Sequence, residues 1–404
     1  MDFEPTQTQQ VIAGSAADVL GGAGLASTRP DWPGPIGQPG YDVAAWQALA
    51  KAGLLALTLP SWLDGDGLGV LDAATLVTET ARRAVPVPAL ETIMLGVLPV
   101  VRWASQDLQA RLLAGVGAGE TILTAALREP SKGMAAEPGT VVTLTGGPSN
   151  SGGWGTVSGT KVGVRYAGQA SWFLIPARLQ AGGRAVVVVD VDAAGIDLLP
   201  TPASGDVPEC TVRLVDVPIT GVLGLGERGV AQAGAAVDDL YQLAAAGATA
   251  AGDGAVAGAL ALTTSYLATR EQFGRPLATF QAVAQQIADV YITGRTLHLA
   301  ALSACWRLDT GREAGDDADV AAYWLAEEAP AALRTCHHLH GGIGVDASYP
   351  LHRYSAMIND LARFVGGAQD RLDRLGDRAV CERGREPDPG VDPGPGGLEH
   401  RTGD

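Results

Sequence analysis

Arg270, Gln272, Phe273 and Gln281 gather a cation, two amides and an aromatic ring in one short stretch. Between them Gly274 and Pro276 interrupt any helix. The segment Tyr266 to Tyr291 therefore reads as the end of one helix, a turn at Gly274–Pro276, and the start of a second helix. Ala, Gln, Ile and Val recur at helical spacing beyond the turn. An arginine at such a corner can donate a fork of hydrogen bonds to a phosphate. An ordinary helical hairpin with a solvated polar face accounts for the same residues, and on this stretch alone it is the better reading.

The elements that must position this corner follow from composition and period. The 404 residues exceed one typical core and predict two or three structural units. A first region, residues 1–120, is helical in pattern. After the loop marked by Pro30, Pro33, Pro35 and Pro39, Asp42 is placed to cap a helix carrying Val43, Trp46, Ala50 and Leu54 at three- and four-residue spacing. Leu71, Ala74, Val77 and Ala81 repeat that period after the Gly65, Gly67 and Gly69 break, and Leu90 to Trp103 is an apolar segment suited to the same bundle. Residues 121–226 change to short β-type runs (Val141–Leu144, Gly155–Val164, Trp172–Ile175, Ala185–Val191, Thr211–Val215) between Gly, Pro and Ser turns. Residues 227–384 are helical again. The glycines between Gly247 and Gly258 predict close helix approach, and Ala321 to His340 leads into a Gly341–Gly342 turn. Residues 385–404, dense in Pro and Gly, read as a disordered tail.

Composition excludes several functions. A net charge of −16 argues against nucleic acid. No uninterrupted apolar run of about 18 or more predicts a membrane span. The start Met1-Asp-Phe-Glu lacks a signal peptide's basic head and apolar core, and Cys210, Cys305, Cys336 and Cys381 are scattered without C-x-x-C spacing. A reducing cytoplasm is the expected location. Of the neighbouring histidines only His337 and His340 would share a helical face, with no carboxylate or thiol at suitable spacing, so no metal site is expected.

Three motifs in order carry a family resemblance. The first comprises Arg270, Gln272, Phe273, Gly274, Pro276, Leu277, Phe280, Gln281, Ala288 and Asp289. The second is His340-Gly341-Gly342-Ile343-Gly344 with Tyr349-Pro350-Leu351-His352-Arg353, and the third is Glu129-Pro130 with Gly159-Thr160-Lys161. Over roughly residues 10 to 380 the chain resembles the flavin-dependent acyl-CoA dehydrogenases. The resemblance implies an α+β fold: an N-terminal helical domain that helps wall the acyl pocket, a middle β-barrel or sandwich domain, and a C-terminal four-helix bundle. It also implies FAD bound between two subunits, with the ring on one subunit's β domain and the pyrophosphate and adenine on its neighbour's helical corner. There a glutamate removes the α-proton of an acyl-CoA thioester while the cofactor carries the redox step.

By that resemblance Arg270 would bind a neighbour's pyrophosphate, Gln272 and Phe273 would line it, and Gln281, His338, Gly341 and Gly342 would border the adenine end. A glycine pair lets backbone approach a ligand closely, and His338 replaces the family's usual glutamine. The ring side departs further. Arg128, Met134, Ala135, Gly163 and Arg165 stand where the family has hydroxyl residues, an aspartate and an aromatic residue, which removes hydrogen bonds and a stacked face. The family's two glutamate positions fall on Val365 and Ala244, neither of which can accept a proton, so no catalytic base is expected. Asp239 and Asp253, the nearest carboxylates to Ala244 along the chain, read as solvated or capping residues.

This pattern of kept and lost residues resembles the non-catalytic subunit of an actinobacterial heteromeric acyl-CoA dehydrogenase. Such a subunit would share FAD with a homologous partner carrying the glutamate, act on a steroid side-chain or other bulky acyl-CoA, and pass electrons to an electron-transferring flavoprotein. A homomeric flavoenzyme of the same fold with atypical chemistry, and a non-catalytic scaffold, are the alternatives.

Overall fold

Local signals start the helices. In the computed structural model, which describes residues 3–21, 40–131, 133–146, 154–225 and 230–383, Thr6 and Gln9 form a reciprocal capping box that opens α1 (Gln7–Leu20). The Asp42 carboxylate accepts from Ala45 N at 2.9 Å and starts α2 (Val43–Lys51). Gly53, at φ +77°, turns the chain after α2, so Leu54 is buried just beyond the helix rather than on it. The α3 helix (Val70–Arg82) is followed by a fully buried π-helical stretch, Leu90–Val97, that runs into α4 (Leu98–Trp103) and then α5 (Gln106–Leu113). The prolines at 30, 33, 35 and 39, and the tail from 385, lie outside the described residues.

Eight strands follow: β1 (Leu123–Ala125), β2 (Val141–Leu144), β3 (Gly155–Arg165), β4 (Trp172–Leu179), β5 (Arg184–Asp190), β6 (Ile196–Thr201), β7 (Glu209–Pro218) and β8 (Gly221–Leu223). They form one sheet in the order β6-β7-β3-β2-β4-β5-β8, with β1 parallel to β4 off that path. The three strands without a sequence signal are β1 and β8, each too short to alternate, and β6, an edge strand containing Pro200. The sheet encloses its own core around Phe173, Val187 and Val212.

Inside it, Lys161 is fully buried and its Nζ lies 2.8 Å from both Glu129 Oε1 and the Pro176 carbonyl. Burial pushes the Glu129 carboxyl up, but Lys161, Thr140 and the Gly139 amide outweigh it and hold the group at about 2. Burial pulls the Lys161 ammonium down while Glu129 raises it, and contact with two acceptor oxygens favours the charged form. A carboxyl depressed in the fold adds stability that is complete above its ordinary 4.5 and is lost as pH falls through about 2. Glu129→Gln is therefore expected to be less stable than the parent at pH 7. The gap should close across that acid window in circular-dichroism unfolding curves.

The remaining chain is α6 (Val230–Thr269), a small hairpin, then α7 (Gln281–Asp309), α8 (Gly315–His340), α9 (Leu351–Phe364) and α10 (Gly367–Arg383). Helices α6, α7 and α8 pack mutually and α9 and α10 lie against α8. Helices before and after the sheet share one continuous core from Ile12 to Val365, because α3 packs along α6. Glycines make that contact possible: a Cβ on Gly254 would lie 2.1 Å from the Thr78 carbonyl oxygen and one on Gly258 2.2 Å from that of Arg82. Gly254→Val should cost about 1–3 kcal/mol in chemical denaturation. Gly14→Ala, on the exposed face of α1 with nothing within 4 Å, should stabilise by up to about 1 kcal/mol. Residues 232–269 are long and apolar enough to cross a membrane, but 89% of their most apolar stretch is buried, as in a core helix.

Candidate functional site

The Arg270 corner is more elaborate than a turn. Helix α6 ends at Thr269, and β9 (Glu271–Gln272) pairs with β10 (Arg275–Pro276) in a minimal hairpin. Its two tip residues, Phe273 at φ +55° and Gly274 at φ +78°, are both left-handed, as a tight two-residue hairpin loop requires. An aromatic held in that region is strained, and here Phe273 is also 92% exposed. Its ring meets Phe280 edge-on at 6.2 Å, and the Arg275 guanidinium sits 4.1 Å over the Phe280 ring. The Leu277 N–H donates to the Arg270 carbonyl and closes the base of the hairpin. Arg270 is exposed, and among the described residues its guanidinium has no hydrogen-bond or ion-pair partner. Gln272 bonds only the neighbouring Glu271 carbonyl, and Gln281 is exposed at the first turn of α7.

The second half of this site arrives from α8. Gly341, at φ +62°, ends the helix, and among the described residues nothing beyond the adjoining backbone lies within 4 Å of a Cβ built on Gly341 or Gly342. His338 is exposed one turn earlier and borders a groove of about 400 Å³ between α7 and α8 with Gln286, Asp289 and Arg334. Tyr266, one turn before Arg270, stacks on His340 at 4.6 Å and 19°. The two sequence-distant segments thus meet at one end of the bundle. His337 bonds Ser355, and His340 bonds Cys336 O and Tyr349.

The opposite site, on the sheet, is crowded with charge. Gly163 sits in a β-bulge of the β3–β7 ladder at φ +60°. A side chain there would meet Glu209 Oε2 at 3.2 Å, Arg128 Nη1 at 3.3 Å and Arg363 Nη1 at 3.4 Å. Arg363 grips Glu209 with two 2.9 Å bonds and Asp360 with a third at 3.1 Å. Asp360 also accepts the Ser204 and Gly205 amides. Arg165 is buried, with its Nε 2.5 Å from Glu91 Oε1. Burial disfavours that cation, but Glu91 and Glu209 more than reverse the effect and raise its pKa. Arg128 goes down, through burial and then the neighbouring Arg363. Met134 is fully buried, its carbonyl held by Arg374, and Ala135 is half-buried beside it.

Next to the Glu91–Arg165 pair, only about 50 Å³ of space remains among Val77, Ala81, Tyr166, Ala251 and Leu361. Sequence reading missed Glu91, Glu209, Asp360 and Arg363. A lone carboxylate at Glu91 in an otherwise apolar run was the one available signal. Ala244 and Val365 are both fully buried. Asp239 and Asp253 are neither solvated nor caps: Asp239 accepts from Arg102 and Trp103, and buried Asp253 meets His298 Nδ1 at 2.8 Å.

Residues 36–120 match the acyl-CoA dehydrogenase N-terminal domain and residues 237–378 the C-terminal domain. Acyl-CoA dehydrogenase FadE28 of Mycobacterium tuberculosis is 42% identical over 378 residues, covering 94% of this chain and 99% of the relative. The chain belongs to the acyl-CoA dehydrogenase family. Its members are FAD-dependent oxidoreductases acting on acyl-CoA. FadE27 of the same organism is 30% identical, with 93% of this chain and 98% of the relative covered. Among solved structures, a variant of the Tcur3481–Tcur3483 steroid ACAD has a TM-score of 0.81 at 31% identity, covering 93% of this chain and 98% of that one. The ChsE4–ChsE5 complex of M. tuberculosis also reaches 0.81, at 28% identity, with 96% and 100% covered. The first is a steroid ACAD and the second a complex of two components. Butyryl-CoA dehydrogenase from Megasphaera elsdenii, at 20% identity, 0.80 and 94% and 100% covered, shares the fold.

The two sites differ in how they suit the parts of an FAD. The open Arg270 corner and glycine pair fit a dinucleotide's pyrophosphate and adenosine: among the described residues the guanidinium has no partner and nothing covers the glycine backbone. The sheet side does not fit a flavin ring, since the paired Glu209 and Arg363 and the guanidinium of Arg128 occupy the space facing Gly163.

Proposed function

We propose that this chain is the non-catalytic subunit of a heteromeric acyl-CoA dehydrogenase. In this reading Arg270 grips the pyrophosphate of an FAD, Gln272 and Phe273 flank it, and Gln281, His338, Gly341 and Gly342 border its adenosine. The FAD supplies the redox chemistry; its ring, and the glutamate that takes the α-proton, reside with a homologous partner. One observation carries the proposal: Glu209, Arg128 and Arg363 crowd the point where a ring-stacking residue would project from position 163, while the dinucleotide corner stands open.

In this reading the cavity beside Glu91 is what remains of an acyl pocket, and its about 50 Å³ is far below the several hundred Å³ a bulky acyl group needs. The buried Ala244 and Val365 support the proposal too, offering no proton acceptor at the family's two base positions. The steroid activity of one structural relative favours a steroid side-chain or similarly bulky acyl-CoA as substrate of the assembly. Electrons would leave to an electron-transferring flavoprotein, and the assembly would work in the cytoplasm. We divide the chain for this role at 120, 226 and 384, with the sheet between two helical parts.

The test is stoichiometry. Purified alone, the chain should be colourless; purified with a homologue bearing the glutamate, the assembly should carry one FAD per two chains. A lone chain that is fully yellow and oxidises a thioester would overturn the reading.

A further inference from the structure

His340 is unusual among the residues of the open corner because it is buried, 3% exposed, and every polar atom of its ring is engaged. Nδ1 lies 2.8 Å from the Cys336 carbonyl and Nε2 lies 3.0 Å from Tyr349 Oη. A carbonyl can only accept, so Nδ1 carries a proton, and in the neutral ring Nε2 accepts from the tyrosine hydroxyl. One face of the ring stacks on Tyr266 at 4.6 Å, and the Tyr349 ring leans against it at 5.2 Å and 56°. The His340 carbonyl receives the Tyr266 hydroxyl at 3.4 Å.

These contacts tie three segments together. Tyr266 carries the Arg270 hairpin, since its carbonyl accepts the Arg270 N–H at 2.8 Å. His340 immediately precedes the left-handed Gly341, and Tyr349 opens the approach to α9. We infer that His340 is a positioning residue of the cofactor corner, fixing the Arg270 hairpin and the Gly341–Gly342 turn at the separation that a dinucleotide's pyrophosphate and adenosine require. This rests on the function proposed above. Burial lowers the His340 pKa, which agrees with the neutral tautomer that the bonds define. A simple core histidine would fill apolar space; this one joins the two loops that hold the ligand.

The experiment measures the FAD dissociation constant of the complete two-subunit assembly by flavin fluorescence. It compares His340→Phe, Tyr349→Phe and Arg270→Ala. His340→Phe keeps a ring against Tyr266 but loses both hydrogen bonds, and should raise the constant about tenfold or more. Its kcat at saturating FAD should stay within about twofold, because the ring's chemistry lies in the partner. Tyr349→Phe, which removes one bond, should raise the constant about threefold to tenfold.

An unchanged constant in His340→Phe, with Arg270→Ala weakened, overturns the inference alone. An unchanged constant in Arg270→Ala overturns the functional reading beneath it. If His340→Phe fails to assemble, Tyr349→Phe decides: a weakened constant with normal assembly mass and kcat supports positioning, and an unchanged one refutes it.

Discussion

Arg270→Ala in the two-subunit assembly is expected to weaken FAD binding about tenfold to a hundredfold and to release most of the cofactor on dilution. Charge-assisted hydrogen bonds from a guanidinium to a phosphate are worth roughly 1.5–3 kcal/mol, and each 1.4 kcal/mol is a factor of ten. The loss should be in binding and not in folding. The guanidinium is exposed and has no partner within the described chain, so its removal breaks no internal contact. Thermal unfolding of the lone chain should therefore match the parent. Arg270→Lys should recover only part of the affinity, since an ammonium keeps the charge but not the planar fork. Isothermal titration with FAD and the mass of the assembly separate loss of cofactor from loss of partner. An Arg270→Ala assembly that keeps full affinity would remove the basis for a dinucleotide corner here.

The second large effect concerns stability. Glu91→Ala should destabilise the chain by about 3–5 kcal/mol, the typical cost of leaving a buried charge without its partner. Glu91 and Arg165 are only 1% and 7% exposed, and their 2.5 Å contact joins the π-helical stretch Leu90–Val97 to the end of β3. The double variant Glu91→Leu with Arg165→Met should recover most of that loss, because apolar replacement of a buried pair is often neutral or favourable. The cycle is read from denaturant midpoints, with coupling taken as the departure from additivity. If Glu91→Ala alone were neutral, the pair would contribute nothing to closing this pocket. The Glu209–Arg363 contact is a weaker lever, since Arg363 is 37% exposed and water can take over part of its solvation.

These two sites differ in how far a linear reading reaches them. Arg270, Gln272, Phe273 and Gln281 lie in one continuous segment whose Gly–Pro break and helical flanks are local properties. Residue type and spacing therefore suffice to find the corner, as they do to place Asp42 at its cap and the glycines of α6 at a close approach. The strained φ of Phe273 was not legible, because a two-residue hairpin between helices is set by how the chain must descend from α6 to α7. His340 read as one of three nearby histidines; that it alone is locked between Tyr266 and Tyr349 depends on two helix ends meeting in space.

The chain's own order of residues determined the family pattern, the helix–sheet–helix succession, the helix-to-helix break beside Arg270 and the want of a carboxylate at Val365 and Ala244. Only the tertiary structure decided what fills the opposite pocket. Glu91, Arg128, Arg165, Glu209 and Arg363 come from distant elements, and although Arg128 and Arg165 stand out against the family pattern, nothing local says which carboxylates answer them. Glu91 pairs with Arg165 and Glu209 with Arg363, with Arg128 beside them, because the sheet and the helical core press them into one low-dielectric space, where an isolated charge is costly and a matched one is held firmly. The shared core of α3 and α6 has the same origin: backbone contact through Gly254 and Gly258 is a property of two helices side by side, which neither sequence segment contains by itself.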